Sequence, residues 1–279
     1  MRRTRPIAPF LLLILACAAT SVKAEEPGPA AEKPPAPRRK TFKEAFMTFA
    51  RDGGYLFTFP ARTNAKGVWL TAGVTAATAL TMNRDAEIRD QVLESDSRTL
   101  GRIATKFEPL GRIEVQAAAL GTLYLAARGA RNGPLVSTAA TAFESYLWST
   151  LITSVVKGAF GREPPNNGSG EGEFFAGETI FPSGHTSRSF AIATVFADRY
   201  GRKAAFIGYP VAALIGWSTI QEDMHWTSDV VAGAGLGLAI GKGIVARHPR
   251  PDAARPAGAA EVAWGLVPGP GGAALRVVF

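Results

Sequence analysis

The sequence predicts an all-α fold, a six-helix bundle with a short C-terminal β-hairpin, and three observations carry that expectation. Apolar segments of helical length recur near 67–83, 113–127, 135–157, 186–199, 204–220 and 228–246, with turn signals between them. They are rich in Ala, Gly, Leu, Val and Thr. The chain has 279 residues, 47% of them hydrophobic, which is enough for one sizeable core and demands no second folded domain.

The N-terminus reads as an export signal over residues 1–24. Arg2, Arg3 and Arg5 precede an apolar stretch from Ile7 to Ala19, and Val22-Lys23-Ala24 is a small-residue cleavage site. The apolar stretch is short for a retained span, which needs about 20 residues. Cys17 is the single cysteine, so the mature fold is expected to hold no internal disulfide; Ile14-Leu15-Ala16-Cys17 is a poor lipoprotein match because of its leucine. Residues 25–40 are too polar and proline-rich to pack and form an extended linker. The helical domain then runs over 41–250, opening with Phe42–Phe59, an amphipathic start whose aromatic residues suit core packing better than a membrane surface.

Of the six apolar segments, 67–83 and 204–221 are free of charge and near the lower limit for a membrane span. Glu144 interrupts the third, Lys242 the sixth, and the fourth is apolar over a short stretch before Asp198 and Arg199. A membrane-embedded or membrane-attached bundle is the preferred expectation, against a soluble periplasmic one. The repeated Leu-Gly-Arg-Ile at 100–103 and 110–113 is too short to be an internal repeat. In the tail, 251–279, two short strands at Val262–Val267 and Ala274–Phe279 flank a glycine-rich turn and predict the hairpin. One hairpin cannot close a barrel.

The formal net charge of +8 suits anionic partners. Lys and Arg are scattered, with no aromatic-interleaved basic stripe, which argues against nucleic acid. No metal-ligand spacing is visible either.

Three separated clusters carry the chemistry. Lys157-Gly-Ala-Phe-Gly-Arg162-Glu-Pro-Pro ends the third apolar segment, Phe181-Pro182-Ser183-Gly184-His185-Thr186 opens the fourth, and Ser218-Thr219, five residues, His225, three residues, Asp229 joins the fifth to the sixth. Their order and surroundings resemble the type 2 phosphatidic acid phosphatase superfamily, which also contains bacterial acid phosphatases and vanadium haloperoxidases. That family's pattern is Lys, six residues, Arg-Pro; then Pro-Ser-Gly-His; then Ser-Arg, five residues, His, three residues, Asp. The resemblance covers roughly residues 65–246.

The resemblance implies the six-helix bundle of that superfamily and a phosphatase working through a phosphohistidine, without cofactor or metal. His225 is then the nucleophile, Asp229 orients its imidazole one helical turn on, and His185 protonates the leaving oxygen and later activates water. Phosphoryl transfer needs its charged oxygens held and neutralised. Lys157 and Arg162 would supply charge, with Ser183 and the amide of Gly184 at a helix N-terminus. The expected substrate is a lipid phosphate or pyrophosphate in the bacterial envelope, with the site facing the periplasm.

Two positions depart from the pattern: Pro164 stands where the family has the first Arg, and Thr219 where it has the second. Arg162 is the nearest substitute, and Arg188, one turn after His185, is a candidate to compensate. The departures keep a slow, altered or catalytically lapsed lipid-phosphate-binding protein open, beside a soluble periplasmic acid phosphatase. Nothing specific supports a haloperoxidase. His248, in Arg-His-Pro-Arg-Pro after the last apolar segment, matches no motif and is expected to be exposed and without a role.

Overall fold

A computed structural model describes residues 41–62, 64–94, 98–166, 172–249, 263–269 and 272–278. The expected signal segment 1–24, with Cys17, and the linker 25–40 lie outside the described residues. The chain divides into a helical unit ending at His248 and a second unit from Pro249 to Phe279.

Among the described residues the helical unit has nine α-helices: α1 (Phe42–Arg62), α2 (Ala65–Met82), α3 (Asp85–Glu94), α4 (Arg98–Phe107), α5 (Ile113–Gly129), α6 (Gly133–Phe160), α7 (Gly184–Tyr200), α8 (Arg202–Gln221) and α9 (Thr227–Arg247). A single 3-10 turn, Glu108–Gly111, links α4 to α5. The six expected segments correspond to α2 and α5 through α9. The expected number was too low because α3 and α4 are ten residues each and rich in charge, so neither shows as an apolar run. The amphipathic start is itself a full helix, α1.

Helix α7 is the hub, packed against α6, α8 and α9. Its seam with α9 is set by three glycines one turn apart. A Cβ on Gly233 would sit 2.6 Å from the Ser183 carbonyl oxygen, one on Gly237 2.2 Å from that of Ser187, and one on Gly241 2.6 Å from Thr194 Cβ. Only hydrogen at those positions lets the two backbones meet so closely. The seam with α6 uses small hydroxyls instead: Ser149 and Ser187 pair at 2.8 Å, and Thr153 donates to Ser187 at 3.3 Å. Buried apolar side chains form two clusters, Leu120, Ala142, Tyr146 and Val195 in one and Leu56, Ile240 and Ile244 in the other.

Far from the sequence motifs, His248 is not the exposed, idle residue the sequence suggested. Its Nε2 lies 2.9 Å from Asp52 Oδ2 and 3.0 Å from Glu144 Oε2, and Arg247 Nε donates to Asp52 Oδ1 at 2.7 Å. The charge that interrupts α6 therefore has a partner, delivered by residues at the end of α9. In the second unit the backbone pairs Ala263–Gly269 antiparallel with Gly272–Val278, Gly269 opposite Gly272.

Candidate active site

Helix ends bring the three motif clusters together. Asn132 caps the start of α6, accepting the Leu135 N–H at 3.0 Å, and α6 stops at Gly161, whose left-handed φ of 51° suits glycine. Ser183 caps α7, its Oγ accepting the Thr186 N–H at 3.4 Å. At the start of α9, Asp229 takes the Trp226 N–H on Oδ2 at 3.0 Å, the acidic half of a capping box. Between these ends lies a cavity of about 350 Å³. Lys157, Gly184, His185, Arg188 and His225 line it, with Ile113, Ile180 and Met224 as apolar wall.

His225 is buried, and its Nδ1 faces Asp229 Oδ2 at 3.3 Å. A carboxylate accepts only, so Nδ1 carries the proton and Nε2 keeps its lone pair. Burial holds the imidazole below its ordinary pKa, although Asp229 pulls the other way, so the ring is neutral and nucleophilic at pH 7.

Behind Asp229 lies Arg162, 2% exposed. Its Nη1 meets Asp229 Oδ1 at 2.5 Å and Ser228 Oγ at 2.7 Å, its Nη2 meets Asp85 Oδ2 at 2.8 Å, and its Nε donates to the Gly172 carbonyl at 3.1 Å. Phe174 and Trp226 cover its faces, 4.9 and 5.4 Å from the guanidinium carbon. Arg162 is not among the residues lining the cavity. The expectation that Arg162 supplies its charge to phosphate does not match its place: its two Nη atoms are held by the carboxylates of Asp229 and Asp85.

His185 faces the cavity from the first turn of α7. Its Nε2 is 3.4 Å from Glu108 Oε1, an ion-pair separation that does not make a hydrogen bond, so this nitrogen is buried and unpartnered. Burial first, then the positive charge of Arg188, lowers its pKa to about 4, against the opposing pull of Glu108. Arg188 is anchored by Nε to Gln116 Oε1 at 3.3 Å and by Nη2 to the Gly111 carbonyl at 2.9 Å. Its Nη1 lies 2.9 Å from where a Cβ on Gly184 would stand, so glycine leaves room for the guanidinium over the cavity floor.

Structure thus brings together His225, Asp229, His185, Lys157, Gly184 and Arg188. It leaves Arg162 behind the wall and uses the Ser183 hydroxyl on Thr186, whose N–H and Oγ1 it meets at 3.4 and 3.0 Å. Thr219 is fully buried, its Oγ1 donating to the Gly216 carbonyl at 2.7 Å. Asp85, Glu108 and Ser228 escaped the sequence reading. Only the helix-start position of Asp85 could have marked it, and that signal is shared by many ordinary caps.

Comparison with known proteins bears on the family and the fold. Residues 138–252, which contain all three clusters, match the model of the PAP2 superfamily. Over 65 residues the chain is 43% identical to a lipid A 1-phosphatase of Porphyromonas gingivalis. That match covers 22% of this chain and 15% of the relative's length. The fold resembles the crystal structure of a transmembrane PAP2-type phosphatidylglycerolphosphate phosphatase from Bacillus subtilis, with a TM-score of 0.53 at 18% identity, covering 66% of this chain and 96% of the other.

Proposed function

This chain belongs to the PAP2 superfamily, and we propose that it removes phosphate from a lipid phosphate or pyrophosphate in the bacterial envelope through a phosphohistidine. One observation supports the reading above the others: two neutral imidazoles and two cationic side chains converge on one cavity, with a buried carboxylate behind one imidazole.

In the first step His225 Nε2 attacks phosphorus while the bond from phosphorus to the lipid oxygen breaks. Asp229 supports the positive charge that grows on the ring. Lys157 and Arg188 hold the non-bridging oxygens, and the Gly184 region at the start of α7 adds the field of a helix N-terminus. His185 gives its proton to the departing oxygen. His185 is neutral at pH 7, because burial first, and then the positive charge of Arg188, lowers its pKa. A bound phosphate dianion counters the cationic part of that shift and raises the pKa of the ring, which favours its protonation for the transfer. In the second step His185 takes a proton from water, hydroxide attacks phosphorus, and phosphate leaves His225.

A membrane location is supported by large apolar side chains that point outward: Trp69, Leu70 and Leu80 on α2, Leu151 and Val155 on α6, Phe206 and Ile207 on α8. Among the described residues α8 and α9 are long and apolar enough to cross a bilayer. We read the bundle as embedded, with the cavity at the periplasmic end.

The test is phosphate release by purified protein in detergent, with EDTA present, over a panel of lipid phosphates. Wild type releases phosphate and is inhibited by vanadate, which mimics the five-coordinate phosphorus of the transition state. His225→Ala abolishes release without unfolding. Turnover by that variant at the wild-type rate, or strict dependence on a divalent cation, overturns the proposal.

A further inference from the structure

The carboxylate that supports His225 is not electrostatically free. Arg162 touches Asp229 at 2.5 Å, and a guanidinium carries one full positive charge at every working pH. Taken alone, this pair is neutral, and a neutral pair gives little support to an imidazole that becomes positive as it attacks. A third charge corrects the balance. Asp85, the first residue of α3, is 4% exposed and contacts the other arm of Arg162 at 2.8 Å. Its Oδ1 also accepts the Ser228 N–H at 2.9 Å, and its Oδ2 accepts from the Ser228 hydroxyl, so it grips the start of α9 as well as the arginine.

We propose that Asp85 is a positioning residue for His225: shared across Arg162, its charge leaves Asp229 with a net negative field toward the imidazole. Two carboxylates and one guanidinium sum to minus one, the charge needed opposite an imidazolium. The function of Arg162 in this chain is then to orient Asp229 and not to bind phosphate. The arrangement also assigns separate tasks to two arginines, Arg162 behind the nucleophile and Arg188 over the cavity. The reaction role rests on the phosphatase reading above, whereas the electrostatic role stands without it.

The charged groups facing His225 are Asp229 from α9, Lys157 from α6, Arg162 beyond the end of α6 and His185 from α7. Neutralising Asp85 shifts this balance toward positive. The imidazole of His225 then holds a proton less readily, and the transition state loses its counter-charge. A merely structural Asp85, acting as a cap for α9, predicts lower stability and nothing more.

The experiment uses the full chain in detergent, labelled at histidine. The sequence holds three histidines, so His185→Gln and His248→Gln leave the His225 signal assignable by NMR. In Asp85→Asn the His225 titration midpoint falls by roughly one pH unit. Its kcat falls roughly tenfold to a hundredfold, as for other outer-shell partners of a reacting group, while KM stays within about twofold. Asp85→Glu keeps the charge and the midpoint. In the pair Asp85→Asn with Arg162→Gln one charge of each sign is removed, and the midpoint returns toward wild type. If Asp85→Asn does not fold, the pair is compared with Arg162→Gln alone, and a midpoint in the pair roughly one pH unit below that of Arg162→Gln carries the test, equal midpoints overturning it. A midpoint unmoved in Asp85→Asn, or one displaced in the pair as far as in the single variant, overturns the proposal. Absence of phosphatase activity in wild type refutes the functional reading alone, because the NMR midpoint needs no turnover.

Discussion

At the scale of single residues, the cavity lining bears on the two departures from the family pattern. Pro164 and Thr219 remove two cations from the places the pattern puts them, and Arg188, which lines the cavity from a different helix, is our candidate to supply one. Arg188→Ala should therefore lower kcat/KM by about 10²- to 10³-fold, the usual cost of one oxyanion donor. Arg188→Lys should recover only part, because Nε and Nη2 fix the fork to Gln116 and Gly111. Restoring the family residue should not help: Thr219 is fully buried, so Thr219→Arg forces a long cation into packed space and lowers activity. Steady-state kinetics on the three variants decide this, and wild-type kinetics in Arg188→Ala would sink the assignment. His185, His225 and Asp229 could be proposed from the sequence because their relations are local, a helix cap and a one-turn spacing. It could not reveal Asp85, which meets Ser228 across 143 positions of chain, or that Arg162 faces a carboxylate and not the substrate.

At the scale of elements, what was legible followed hydrophobicity. The six apolar helices were visible with their ends shifted by at most a few residues, while α3 and α4 were missed because charge hides a short helix. The glycines of α9 were visible as composition but not as a seam, since their meaning comes from the backbone they meet. Gly237→Ala places a methyl 2.2 Å from the Ser187 carbonyl oxygen, which α9 can relieve only by moving away from α7. We expect a loss of about 1–3 kcal/mol. Gly101→Ala in α4 meets nothing within 4 Å and should be neutral or stabilising by up to about 1 kcal/mol. Unfolding midpoints measured side by side in one detergent check the contrast; equal effects at the two glycines would show that the seam is loose.

At the scale of the whole molecule, Asp52, Glu144 and His248 tie α1, α6 and the end of α9 together. Glu144 first, and Asp52 with it, hold the His248 pKa above its ordinary value against the opposing effect of burial. Arg247 shares Asp52, its Nε 2.7 Å from Asp52 Oδ1. A raised folded pKa means stability that is fully present below about pH 6.5 and lost as pH rises through the folded value. The gap in thermal midpoint between wild type and His248→Gln should therefore be wide near pH 6 and narrow near pH 9. Using the difference cancels His185 and His225, whose lowered pKa values act in the opposite sense. A gap that does not change with pH would rule out the charged clamp. Helix α9 has Asp229 in its first turn, with His225 just before it, and Arg247 at its last position, with His248 just after; its 21 residues rise about 31 Å, close to the thickness of a hydrocarbon layer. On the proposed embedding, with α9 crossing the bilayer, its two ends lie in different aqueous phases. In a sealed vesicle, acid added outside then changes turnover, and acid trapped inside changes how firmly the bundle holds.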